Sequence, residues 1–160
     1  MSRADHVDQI MSIMAAAFDP AYGEAWSRRQ VEDALMLGNC HAYLASTAGH
    51  AAGEDEAVAG FSLSRTGFEE EELLLFAVLP EYRRQGIGQS ILLALTEAAR
   101  RRGAMRLLLE MRRGNPAESL YRAFGFTVIG ERRDYYRTPH GSRIDAITYA
   151  YPIDQQHTPA

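Results

Sequence analysis

The chain has 160 residues, 46% of them hydrophobic and 24% charged: the length of one domain, with enough apolar material for a core and too much for a disordered chain. A single cysteine, Cys40, excludes an internal disulfide and a multi-cysteine zinc site, and the 17 basic residues are all arginine, which excludes a Walker lysine and a Schiff-base lysine. The net charge of −4 is split, with 13 acids against 4 arginines in residues 1–80 and 8 acids against 13 arginines in residues 81–160, so the second half suits an anionic ligand or is simply solvated surface, and an acidic chain gives no reason to expect nucleic acid.

Val7, Ile10, Met11, Met14, Ala17 and Phe18 fall on one helical stripe, which Asp19-Pro20 ends. No apolar run approaches the roughly 18 residues of a membrane span. Residues 10–18 are interrupted by Ser12 and preceded by acids, so no signal or transit peptide is expected. Ser27 and Gln30 form a capping box, with Trp26 and Val31 placed as a hydrophobic staple, for a second helix over 27–37 closed by Gly38. Strands are expected at 41–47 and 58–65, around a small, polar, acidic segment at 49–56. The acidic run 69–72 would repel itself if packed and is expected in or beside a turn. Residues 73–79 are continuously apolar, a strand buried on both faces, and Pro80 ends it. Ile87, Ile91, Leu92, Leu95, Ala98 and Ala99 then mark a long helix that stops at Arg100-Arg101-Arg102-Gly103. A strand at 105–111 follows, then a short helix opened by Asn115-Pro116 and running through Phe124, then two antiparallel strands at 126–129 and 144–151. The alternation is α/β, with one domain over 1–153 and a frayed tail over 154–160.

The run Arg83-Arg84-Gln85-Gly86-Ile87-Gly88 joins the apolar strand to the long helix. Its glycines let the backbone approach a ligand, and the helix start adds free donors and partial positive charge, which suits a pyrophosphate. A two-glycine loop by itself is equally a plain turn. It is not the dinucleotide fingerprint, because Ile91 stands where the third glycine belongs.

The stretches LLLFAVLPEYRRQGIGQSILLAL and LLLEMRRGNPAESLYRAFGF resemble motifs A and B of the GNAT superfamily of N-acetyltransferases, and the resemblance spans residues 4–153. It implies a mixed, mostly antiparallel central sheet with splayed parallel strands and flanking helices. It also implies acetyl-CoA as co-substrate, its pyrophosphate wrapped by Arg84, Gln85, Gly86, Ile87, Gly88 and Gln89. The backbone of Phe76, Ala77 and Val78 would contact the pantetheine arm. WSRRQVEDAL, LEMR, SLYRAFGF and RRDYYRTPHGSRIDAITYAYPI are similar to the bacterial ribosomal protein alanine N-acetyltransferases. There, a Glu at the end of the family's fifth strand is the general base and a Tyr in the following helix the general acid; the matching positions are Glu110 and Tyr121. A cofactor-contacting Asn falls near Asn115, although the chain is one residue shorter than the pattern around 114–116. Tyr135, Tyr136 and the 132–143 loop resemble the substrate-binding side.

The chemistry fits those roles. Amine attack on a thioester needs a neutral amine and a departing thiolate. An α-amino group has a pKa near 8 and lysine about 10.4, so a carboxylate acting through water is an adequate base for an N-terminus. A backbone N–H near Ala77 or Val78 would hold the oxyanion. Structural readings stand beside these: Glu110 as a strand-end carboxylate paired with Arg112 or Arg106, Tyr121 as a ring packed on Leu120, Phe124 and Phe126, and Tyr135 and Tyr136 as hairpin surface. Cys40 before His41 is either an acyl-enzyme nucleophile or a small buried hydrophobe. His6, His41, His50, His140 and His157 lack metal spacing, so no metal is expected. The reading as a whole is a cytoplasmic, monomeric enzyme, without membrane or nucleic-acid contacts, that acetylates the N-terminal alanine of a small-subunit ribosomal protein. Such a protein is basic, and the acidic first half would attract it. Action on a free small-molecule amine and a non-catalytic acyl-CoA-binding module remain the alternatives.

Overall fold

The computed structural model describes residues 2–155. In chain order it contains α1 (Arg3–Ala17), a 3-10 turn (Pro20–Tyr22), α2 (Arg28–Met36), β1 (Cys40–Ser46), β2 (Val58–Thr66), β3 (Glu70–Val78), a second 3-10 turn (Pro80–Tyr82), α3 (Ile87–Arg101), β4 (Arg106–Arg112), α4 (Glu118–Phe124), β5 (Thr127–Arg137) and β6 (Arg143–Pro152). The strands form one sheet in the order β1-β2-β3-β4-β6-β5. Only the β3–β4 pair is parallel. This is the mixed, mostly antiparallel α/β sheet expected from the sequence. No helix among the described residues is long and apolar enough to cross a membrane.

Local chemistry explains the elements. The Ser27 capping box forms as read: the Gln30 N–H donates to Ser27 Oγ at 3.2 Å and the Ser27 N–H to Gln30 Oε1 at 2.8 Å. Ser2 and Asp5 make the same box for α1. Val7, Ile10, Ile13 and Met14 of α1 and Val31 of α2 pack on Phe61, Leu63, Leu75 and Ala77 of the sheet. Leu92 and Leu95 of α3 and Tyr121 of α4 pack on Leu107, Leu109, Ile147 and Tyr149.

Four expectations are corrected. The acidic run does lie beside a turn, at 67–69, but it is packed all the same: residues 70–72 are in β3 and the Glu71 side chain is 0% exposed. Repulsion does not decide its place, because each strand carboxylate faces its own arginine. Glu70 meets Arg106 at 2.5 Å and Glu72 meets Arg65 at 3.0 Å. Glu71 accepts from Arg102 Nε at 2.8 Å and from Ser64 Oγ at 2.7 Å. Burial pushes the Glu71 carboxyl up, but the bonds from Arg102 and Ser64 outweigh it and hold it below the ordinary range. Second, β3 is not buried on both faces: burial alternates, and Leu74 and Phe76 are half-buried. Third, α4 starts at Glu118, because Asn115 Oδ1 accepts the Ala117 N–H at 2.9 Å and makes a turn of the preceding residues. Fourth, the short strand at 126–129 and the loop at 132–143 are one long edge strand, β5, and a tight hairpin into β6. Both faces of β5 are wet, so no apolar alternation marks it. Residues 156–160, including His157 and most of the expected tail, lie outside the described residues.

Candidate active site

The β3–β4 ladder runs only from Glu70↔Arg106 to Leu73↔Leu109. Residues 74–78 of β3 and 110–112 of β4 continue without pairing to each other. β2 holds the outer edge of β3 as far as Gly60↔Val78, and β6 holds β4 as far as Arg112↔Ala146. A Cβ on Gly60 would stand 2.7 Å from the Ala77 carbonyl oxygen, so glycine there lets the end of β3 lie tight against β2. The result is a wedge with the inner backbone edge of Phe76, Ala77 and Val78 along one wall.

The loop after β3 leads into α3. Arg84 and Gly86 take left-handed φ of 62° and 81°, which turns the chain sharply from β3 into the helix. Gly86 is the N-cap of α3 and no side chain caps the helix, so its first-turn N–H donors are not taken up by a cap. Arg83 has a different job from the loop: its Nε donates to the Val78 carbonyl at 3.3 Å and its Nη2 to the Ala17 carbonyl at 3.4 Å, tying β3 to α1. Gly88 is a packing glycine as well. A Cβ there would stand 2.9 Å from Leu120 Cδ2 and 3.3 Å from Phe76 Cζ, so it brings α3, α4 and the free end of β3 together.

Glu110 is the first β4 residue beyond the last β3 rung, opposite Thr148 of β6. Its partner is Arg132 Nε at 3.7 Å, neither of the arginines expected. Arg106 pairs with Glu70, and Arg112 Nε lies 3.0 Å from Glu24 Oε1 with its guanidinium 3.5 Å from the centre of the Tyr22 ring. Tyr121 is buried in α4, its ring 5.7 Å from Phe76 and 5.6 Å from Phe126. Burial, then the charge of Glu24, pushes its phenol well above the ordinary range. Burial, then Glu110 and Glu24, pushes Tyr136 up to about 12. Two carboxylates and two phenols therefore share one field beside the wedge. Tyr135 is exposed, its ring 5.5 Å from that of Tyr136. The hairpin tip reaches across to the loop before α2, where a Cβ on Gly23 would stand 3.5 Å from Pro139 Cγ.

Other candidates separate from this cluster. Asn115 has its side-chain oxygen engaged by Ala117, leaving only its amide group for a ligand. Cys40 opens β1 opposite Arg65, at the end of the sheet away from the wedge, and burial pushes its thiol up, which disfavours a nucleophilic thiolate. His41 bonds Thr66 Oγ1 at 2.9 Å. The sequence reading missed Tyr22 and Glu24, took Arg132 only as part of the 132–143 loop, and assigned Arg112 only as a partner of Glu110. Arg112 follows Glu110 by two and so shares its strand face, a usable signal; Tyr22 and Glu24 sit in a loop without periodicity.

Comparison with known proteins agrees with this fold. The acetyltransferase (GNAT) family model matches residues 7–126. A [ribosomal protein bS18]-alanine N-acetyltransferase of Escherichia coli is 40% identical over 97 residues, 60% of this chain and 65% of that relative, so the match spans just under two-thirds of the relative's length. A putative enzyme of the same name in Bacillus subtilis is 27% identical over 135 residues, 84% of this chain and 83% of the relative. The solved ribosomal-protein-S18-alanine N-acetyltransferase of Escherichia coli superposes with a TM-score of 0.77 at 28% identity, covering 100% of this chain and 95% of that one. Because the family model runs from α1 to just past α4, the chain belongs to the acetyltransferase (GNAT) family.

Proposed function

We propose that the chain transfers the acetyl group of acetyl-CoA to the α-amino group of an N-terminal alanine on a small-subunit ribosomal protein. One observation carries this reading: β3 and β4 part at Leu73 and Leu109, leaving Glu110 at the fork and the Tyr121 ring against Phe76 across it. Relatives named for alanine acetylation of a ribosomal protein, at 27–40% identity, support the acceptor.

In this mechanism the pyrophosphate lies on the backbone of residues 84–89, with the Arg84 cation and the α3 start facing it. The pantetheine arm pairs with the backbone of Phe76, Ala77 and Val78, and the Asn115 amide group adds a donor. Glu110 takes a proton from the α-amine through a water; that amine has a pKa near 8, so its deprotonation at pH 7 costs only about 1.4 kcal/mol. The amine nitrogen attacks the thioester carbon, and a backbone N–H near Ala77 or Val78 stabilises the oxyanion. The C–S bond then breaks as Tyr121 donates its proton to the sulfur, and the surplus proton on the acylated nitrogen returns to the Tyr121 oxygen through solvent, leaving a neutral amide and coenzyme A thiol. Burial holds this phenol above its ordinary range, which keeps it protonated and makes it a weaker acid, so its hydrogen bond to the departing sulfur carries much of the effect. Tyr135 and Tyr136 line the path of the acceptor chain. The 13 acids of residues 1–80 attract a basic acceptor. The organisation that goes with this chemistry is one domain over 1–153, working as a cytoplasmic monomer. Product mass mapping on a panel of N-terminal peptides, with free amino acids as controls, tests the reading. Acetylation confined to the α-amine of alanine-initiated peptides is expected; transfer only to free amines contradicts it.

A further inference from the structure

The cation that pairs with the proposed base comes from the edge strand. Arg132 Nε stands 3.7 Å from Glu110 Oε2, beyond hydrogen-bond length, with its side chain 60% exposed. The Arg132 guanidinium carbon also lies 4.8 Å from the centre of the exposed Tyr135 ring, a contact it can keep without Glu110. A bulge creates this arrangement. The β5–β6 register slips between Arg132 and Tyr136, Asp134 takes φ 53°, and its N–H donates to Asp145 Oδ1 at 2.9 Å. Asp145 is held in turn by Arg113 Nε at 3.3 Å. Arg132 and Tyr136 thus stay opposite Ala146 and Ile144, on the face of the sheet where Glu110 stands opposite Thr148, and Tyr135 is swung beside Arg132.

An α-amino terminus has a pKa near 8 and reaches the site at pH 7 mainly as an ammonium. Ammonium and guanidinium are like charges drawn to one carboxylate. Arg106 and Arg112 are engaged by Glu70 and Glu24, so Arg132 is the arginine whose partner is Glu110 itself. We propose that Arg132 is a displaceable counter-ion of Glu110, which competes with the incoming amino terminus and, when the acceptor enters, gives up Glu110 while keeping its contact with Tyr135. This rests on the reading of Glu110 as the group that receives the amine. Arg132 acts through Glu110, as a positioning residue. An exposed ion pair of this kind favours its partner by only a few-fold, which lets a substrate displace it.

The test has two arms. Alaninamide, a minimal α-amine, is titrated into enzyme labelled with 15N-arginine. The Arg132 Nε–H resonance is expected to move toward its position in Glu110→Gln. A resonance that stays put through the titration, or that is the same in wild type and Glu110→Gln, overturns the proposal. In steady-state kinetics with an alanine-initiated peptide, Arg132→Gln is expected to lower KM about two- to fivefold, with the gain in KM rather than in kcat. Arg132→Lys keeps the charge and holds KM near the wild-type value. A higher KM in Arg132→Gln would make Arg132 an acceptor-binding group and equally overturns the proposal. A failure to acetylate any N-terminal peptide counts against the proposed function alone, because the resonance arm reads displacement and needs no acetyl transfer.

Discussion

Replacing Tyr121 by Phe isolates the role of one hydroxyl. The ring keeps its neighbours, Phe76 at 5.7 Å and Phe126 at 5.6 Å, so folding stability changes by about 1 kcal/mol or less, about 2–4 °C in Tm for a chain of this size. The reaction loses a hydrogen bond to a sulfur that is becoming charged. Bonds to charged groups contribute about 1.5–3 kcal/mol, which at 1.36 kcal/mol per decade predicts a fall in kcat of about ten- to hundredfold. Acetyl-CoA affinity stays near wild type, since the loop and the β3 edge are untouched. The phenol must be protonated to act, and burial raises it above its ordinary value of 10.0. Wild-type kcat therefore shows no alkaline loss from this group up to about pH 10. Coenzyme A thiol release at saturating acetyl-CoA, with calorimetric titration of the donor, measures both quantities. Near-normal turnover with normal binding in the Phe variant refutes the acid role of Tyr121.

Three further outcomes are expected. Glu110→Gln lowers kcat by about 10²–10⁴-fold at pH 7, and the deficit shrinks as rising pH deprotonates the amine; a constant loss below about threefold makes Glu110 structural. Gly88→Val weakens acetyl-CoA binding and also lowers Tm, because its Cβ meets Leu120 and Phe76; unchanged affinity by calorimetry removes the loop from the donor site. Arg102→Ala leaves the buried Glu71 carboxylate without its cation and destabilises by about 3 kcal/mol, or about 6–12 °C in Tm. Glu71 is held below its ordinary 4.5, so its contribution is fully present above that pH and is lost as pH falls through the lower folded value. Wild type and Glu71→Gln should therefore converge in Tm on acidification, and a gap that persists at low pH contradicts the ion-pair account.

What the sequence made legible follows physical periodicity. α1, α2 and α3 were readable because caps and apolar stripes are local signals, and the Ser27–Gln30 box formed atom for atom. The loop between β3 and α3 was readable because left-handed turns select glycine, as Gly86 does. Glu110 and Tyr121 came from the family resemblance; nothing in their spacing alone chose them over pairing and packing. The misses are tertiary. The packing of Glu71 is not legible because its arginine lies 31 residues away on another element. β5 was halved because an edge strand wet on both faces, with two slips in register, carries no alternation. Glu24 reaches the site from a loop and announces itself only through Arg112, 88 residues on.

The central claim is that the fork between β3 and β4 holds the thioester between Glu110 and Tyr121. A crystal structure with coenzyme A joined through an acetyl bridge to the α-nitrogen of an alanine peptide tests it directly. The sulfur is expected within hydrogen-bond reach of Tyr121 Oη, the bridging nitrogen reached from Glu110 directly or through one water, and the pantetheine amides paired to the backbone of residues 76–78. A conjugate bound with its sulfur away from the fork, or with the peptide on the face opposite Glu110, contradicts it.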